Sequence, residues 1–136
     1  MFGAYAEVTM EPASTESARA YIVEAQELLV PPLIELFESI HVQVENVTQQ
    51  IDDQYIESAH HDVIFLDGDY VSEVLAEGIY RVWHAWPRAK LIVFCSPAAA
   101  NALSDRYIWM TAGVIPKSAG TQRLKRLLER AIWLQG

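Results

Sequence analysis

A doubly wound α/β fold is what this sequence predicts: five parallel strands in the order 2-1-3-4-5, with helices on both faces. Three observations point there. From residue 18 onward, short apolar runs alternate with stretches of helical periodicity. The runs are apolar at consecutive positions, as strands buried on both faces must be. Each run is also followed by enough chain for a crossover helix, and right-handed crossovers then wind the sheet doubly.

The elements follow in order. Ala20-Tyr21-Ile22-Val23 is a run of β-type residues ending at Glu24-Ala25-Gln26. Leu33, Ile34, Phe37 and Ile40 have helical spacing, but Pro31-Pro32 falls inside the expected first helix. Proline away from the first turn costs about 3 kcal/mol, so that helix starts late, near Pro31. Val42, Val44 and Val47 lie near strand spacing, and Thr48 is placed to cap a helix reaching Ser58. Asp62-Val63-Ile64-Phe65-Leu66-Asp67 is a short apolar strand closed by Gly68-Asp69. Val71, Val74, Leu75, Gly78, Ile79, Val82 and Trp86 form one helical stripe, ended by Pro87. Leu91 to Phe94 is a fourth strand leading to Cys95-Ser96-Pro97. Pro97 to Thr111 favours helix and stops at Gly113, and Val114-Ile115 is a fifth strand before Pro116-Lys117. Thr121 is placed to cap a last helix with the stripe Leu124, Leu127, Leu128, Ala131.

Composition bounds the function. With 136 residues, 51% apolar and 21% charged, the chain is globular and fits one domain. Residues 1–17 read as an N-terminal extension and 18–136 as the domain. No run approaches the roughly 18 apolar residues of a membrane span. Met1 to Ser17 holds no base, unlike the front of a secretory signal, so a cytoplasmic location is expected. A single Cys excludes an intramolecular disulfide and a Cys-rich zinc site. Residues 1–80 carry 16 of the 18 acids and one base, Arg19, whereas residues 81–136 carry nine bases and two acids. Such polarity suits a protein partner, head-to-tail pairing included. An overall pI near 4.9 disfavours direct nucleic-acid binding. Neither GxxxxGK nor GxGxxG occurs, which disfavours nucleotide enzymes.

In flavodoxin-like sheets of this order, ligands bind beyond the carboxyl ends of the strands. The residues there are Glu24-Ala25, Asp67-Gly68-Asp69, Cys95-Ser96 and Pro116-Lys117. Carboxylates, a small side chain and a Lys on one edge resemble the receiver domain of two-component response regulators. The resemblance covers roughly Ala18 to Trp133, and its most specific parts are DVIFLD (62–67), TAGVIPKS (111–118) and WPRAKLIVFCS (86–96). It implies that Asp67 stands at the phosphoacceptor position, that Lys117 neutralises a phosphoryl oxygen, and that Glu24 and Asp67 hold Mg²⁺ if the site works. Catalysis of that kind is mainly charge neutralisation and positioning around a hard cation.

The chain departs from the family at several positions. Ala25 replaces the second metal-holding acid, Cys95 replaces the hydroxyl residue of the switch, and Val114 replaces the switch aromatic. A thiol is only a weak hydrogen-bond donor. Ser96 is adjacent to Cys95 but on the opposite face of the strand. Phosphorylation would add about −1.5 to −2 charges beside Glu24 and Asp69, with Lys117 the fixed counter-charge. Asp67 and Lys117 are equally able to pair with each other. The expectation is a degenerate receiver without enzymatic activity and without a resident cofactor, acting as a regulatory interaction module.

Its partners are expected to be proteins: a second copy, a histidine kinase, or an effector fused or separate. The dimer face implied by the resemblance carries Arg106, Tyr107, Trp109, Arg123, Arg126 and Arg130, together with Lys125 and Trp133. Two alternatives remain. One is a working aspartyl-phosphate receiver, with Glu24, Asp67 and the Asp69 carbonyl on Mg²⁺. The other is a small thiol or flavin enzyme, with Cys95 activated by Lys117. His60-His61-Asp62 could ligate metal but lacks a third ligand at suitable spacing.

Overall fold

The apolar runs become the strands of one sheet, and amphipathic helices are laid against it. The computed structural model describes residues 18–52, 54–55, 61–69 and 74–134. Strand β1 (Ala18–Val23) leads through a 3₁₀ turn (Glu27–Leu29) to α1 (Val30–Glu38) and β2 (Val42–Thr48). Then come β3 (Val63–Asp67), α2 (Leu75–Ala85), β4 (Lys90–Cys95), α3 (Pro97–Ala102) and α4 (Asp105–Ile108). Strand β5 (Gly113–Pro116), α5 (Thr121–Glu129) and a π turn (Arg130–Leu134) finish the chain. The sheet order is β2-β1-β3-β4-β5 and every pairing is parallel, as the pattern predicted. Strand β3 is buried at all five residues, which is why it reads as unbroken apolar sequence.

Alternate strand residues feed two cores. On one face Ala20, Ile22, Phe65 and Ile92 meet Leu33 and Phe37 of α1 and Leu124 and Leu128 of α5. Phe37 packs edge-on to Phe65, ring centroids 5.3 Å apart. On the other face Tyr21, Ile64 and Val93 meet Ile79 and Val82 of α2, with Leu103, Tyr107 and Met110 alongside. Each fully buried Val, Ile, Leu or Phe among them stabilises the fold by roughly 1.5–3 kcal/mol relative to exposure. Helix α1 does start late: Pro31 and Pro32 sit in its first turn, where missing N–H groups have no intrahelical partner to lose.

Several local expectations are corrected. Thr48 is no helix cap but the last residue of β2, its hydroxyl donating to Gln50 O (2.6 Å) and accepting from Tyr21. Residues 54 and 55 are helical, and the expected reach to Ser58 lies outside the described residues, as do Val71 and residues 1–17. Val74 is exposed at the start of α2 and leaves the stripe there. Pro97 to Thr111 is two helices, because Leu103 is extended (φ −78, ψ 134). The alanines of α3 bury no residue, and the break turns Leu103, Tyr107 and Met110 onto the sheet. Gly120, not Thr121, is the half-in residue of α5; periodicity fixes a helix face but not its terminal residue.

Candidate functional site

Parallel register assembles the carboxyl edge. Val23 pairs with Leu66, so Glu24 and Asp67 emerge side by side. Asp67 pairs with Phe94 and Cys95 with Pro116, so Cys95 and Lys117 each stand one residue beyond a neighbouring strand end. Lys117 N donates to Cys95 O at 2.8 Å, fixing that corner. Gly68 N donates to Phe94 O at 2.9 Å. A Cβ on Gly68 would lie 3.0 Å from Leu75 Cδ1 and 3.1 Å from Cys95 Cβ, so the turn after β3 passes close to β4 and favours a glycine.

The edge concentrates charge out of water. Asp67 is 1% exposed. Lys117 Nζ lies 2.7 Å from Asp67 Oδ1 and 3.1 Å from Asp69 Oδ2, and 5.5 Å above the Phe94 ring. Burial opposes its charge, but the two carboxylates raise its pKa above the ordinary lysine value. Asp69 also accepts from Ser96 N at 3.1 and 3.2 Å. Its partial burial pushes its pKa up, yet the Ser96 N–H and Lys117 outweigh this and hold it below the ordinary carboxylate value. Glu24 Oε2 accepts from Gln26 N at 3.1 Å. Burial, and then the facing Asp67 carboxylate to which a protonated Glu24 can donate, push Glu24 up to about 7. Glu24 Oε1 and Asp67 Oδ2 are buried without a hydrogen-bond partner among the described residues.

The structure thus brings together Glu24, Asp67, Asp69, Cys95 and Lys117, while Ala25, half-buried, adds no polar atom. Two unpartnered carboxylate oxygens are the hard donors that Mg²⁺ takes, and one or two carboxylates with waters is its usual set. Glu24 and Asp67 therefore fit such a cation, although no group of three His, Cys, Asp or Glu side chains among the described residues is arranged to hold a metal. The thiol reading is corrected. Cys95 is 0% exposed, and burial, then the charges of Asp69 and Asp67, push it up to about 11 against the smaller pull of Lys117. A thiol in that state is not a nucleophile at neutral pH.

His61 is buried among rings, its Nε2 2.7 Å from Tyr55 Oη, while Asp62 accepts from Arg19 N at 2.9 Å. That pair serves packing and backbone anchoring rather than a metal, and His60 lies outside the described residues. Val114 is half-buried against the second core. On the α4–β5–α5 face Trp109 is 84% exposed, with Arg106, Arg123, Arg126 and Arg130 also exposed and Arg106 5.7 Å from the Tyr107 ring. Trp133 is only partly exposed, its indole donating to Ile40 O at 2.8 Å. Sequence reasoning missed the bond from Ser96 N–H to Asp69 and the Phe94 ring beneath Lys117. The Asp-Gly-Asp spacing was the available signal for the first.

No protein-family model matches the chain, and no curated protein matches it. Solved structures do. A response regulator receiver domain protein from Clostridium thermocellum is similar at TM-score 0.69 and 13% identity, over 85% of this chain and 94% of the other. A receiver domain from Methylobacillus flagellatus matches at TM-score 0.69 and 18% identity, over 85% and 99%. A response regulator from Thermotoga maritima matches at TM-score 0.64 and 14% identity, over 86% and 98%. With the same strand order, the same edge and these neighbours, the chain has the fold of a response-regulator receiver domain.

Proposed function

We propose that the chain is an atypical receiver acting in two-component signal transduction as a regulatory protein–protein interaction module, with phosphoryl transfer to Asp67 impaired or absent. One observation carries the reading. The carboxylate that would attack a phosphoryl group is 1% exposed and held by Lys117 at 2.7 Å. Around it, Ala25 leaves one acid of a metal-holding pair, and Cys95 offers a buried thiol where a hydroxyl is needed. Exposed Trp109 and the arginines of α4 and α5 support a homodimer through that face, because exposed aromatics and arginines are what interfaces favour. A kinase or an effector would be a further protein partner, in the cytoplasm. No described helix is long and apolar enough to cross a membrane.

The second reading is a working Mg²⁺-dependent aspartyl-phosphate receiver. It is favoured by the unpartnered oxygens of Glu24 and Asp67. When bound there, Mg²⁺ would neutralise charge developing on a transferred phosphoryl group. Glu24 and Asp67 would hold the ion, and Lys117 would neutralise a further oxygen.

An amide NMR titration with Mg²⁺ and then beryllofluoride, alongside Asp67→Asn, separates the two. We expect no beryllofluoride-dependent shifts at Asp67, Cys95 or Lys117. Shifts in the wild-type chain that vanish in Asp67→Asn establish the working receiver instead.

A further inference from the structure

Asp69 does something no strand-end position requires of it. Its carboxylate lies across the Lys117 ammonium from Asp67, 3.1 Å from Nζ, and both of its oxygens accept from Ser96 N at 3.1 and 3.2 Å. An oxyanion held by one ammonium and one backbone N–H is the chemistry a phosphoryl group would find in this pocket. We propose that the Asp69 carboxylate occupies the place of a phosphoryl group on Asp67, so that the chain carries a permanent oxyanion of its own. The inference rests on the receiver-type reading of the pocket and says how that pocket is kept in one state.

Three features make the substitution possible. Gly68 lets the chain turn tightly beneath Cys95, which brings Asp69 within reach of the end of β4. The Asp69 N–H donates to Asp67 Oδ1 at 3.1 Å, tying the turn back to the strand end. Cys95 has no hydroxyl with which to bind an oxyanion, so the backbone N–H of the next residue becomes the donor. A phosphoryl group arriving at Asp67 would meet a second carboxylate on the same two donors, with like charges repelling across a few ångströms. The start of α3 is therefore held as an oxyanion-bound loop without any donor of phosphate.

The test follows the Ser96 amide in the full chain by NMR hydrogen exchange, in wild type, Asp69→Ala and Asp69→Asn. The Asn variant retains one acceptor and reports whether the turn folds. We expect Ser96 exchange to accelerate roughly tenfold or more in Asp69→Ala, as for a lost charge-assisted hydrogen bond. Mg²⁺ with beryllofluoride should restore its protection in Asp69→Ala and fail in Asp69→Ala with Asp67→Asn. Unchanged exchange in Asp69→Ala, or no restoration by beryllofluoride, overturns the inference and leaves the proposed function standing. A wild-type response to beryllofluoride that is lost in Asp67→Asn overturns both, because the pocket would then be open.

Discussion

At the scale of single residues, the buried carboxylates dominate. Glu24 binds its proton more tightly folded than unfolded, its pKa rising from 4.5 to about 7 through burial and then Asp67. Its contribution to stability is therefore complete below about pH 4.5 and is lost as pH rises through 7. In EDTA, urea unfolding should show stability falling across that window by something on the order of 3 kcal/mol, with Glu24→Gln removing the slope. Lys117→Ala would leave Asp67 buried without its cation, a loss of about 3 kcal/mol by the same assay. Combining it with Asp67→Asn should recover part of that loss, because the stranded charge is gone. The Cys95 thiol, buried and pushed up to about 11, should resist a disulfide reagent until the chain unfolds. Fast reaction in the native state would contradict the packing described.

Elements are set by a few positions with special backbone or space requirements. His41, between α1 and β2, has φ 67, the left-handed region that costs a side chain energy. His41→Gly should raise stability by roughly 0.5–1 kcal/mol in urea melts. Gly68→Ala runs the other way. Leu75 can swing its methyl aside, but Cys95 Cβ, at 3.1 Å, cannot move without β4. A loss of roughly 1–3 kcal/mol is expected, with amide shifts concentrated at Cys95 and Ser96. The periodicities located all five strands because the central strands are buried on both faces, and the edge strand β2 keeps its apolar Val42, Val44 and Val47 at near-strand spacing. They misplaced Thr48, Leu103 and Thr121 because strand length, helix breaks and caps are decided by what each end packs against, which no local pattern encodes.

For the whole molecule, charge is the organising feature. Trp109 is exposed, and α4 and α5 carry Arg106, Arg123, Lys125 and Arg126, while most acids are in the first 80 residues. Sedimentation equilibrium should find a homodimer that Trp109→Ala with Arg126→Glu converts to monomer. A wild-type chain that stays monomeric at high concentration would remove this face as a self-contact. The α/β class, the strand order and the set of residues at the carboxyl edge were legible in the residue pattern, because central strands buried on both faces and parallel crossovers leave few topologies. Asp67, Glu24, Cys95 and Lys117 were legible for that reason. What those residues do to one another came from the packing of the folded chain. The pairing of Lys117 with two carboxylates, the raised pKa of Glu24 and the bond from Ser96 to Asp69 depend on ångström distances and burial across four strands far apart in sequence.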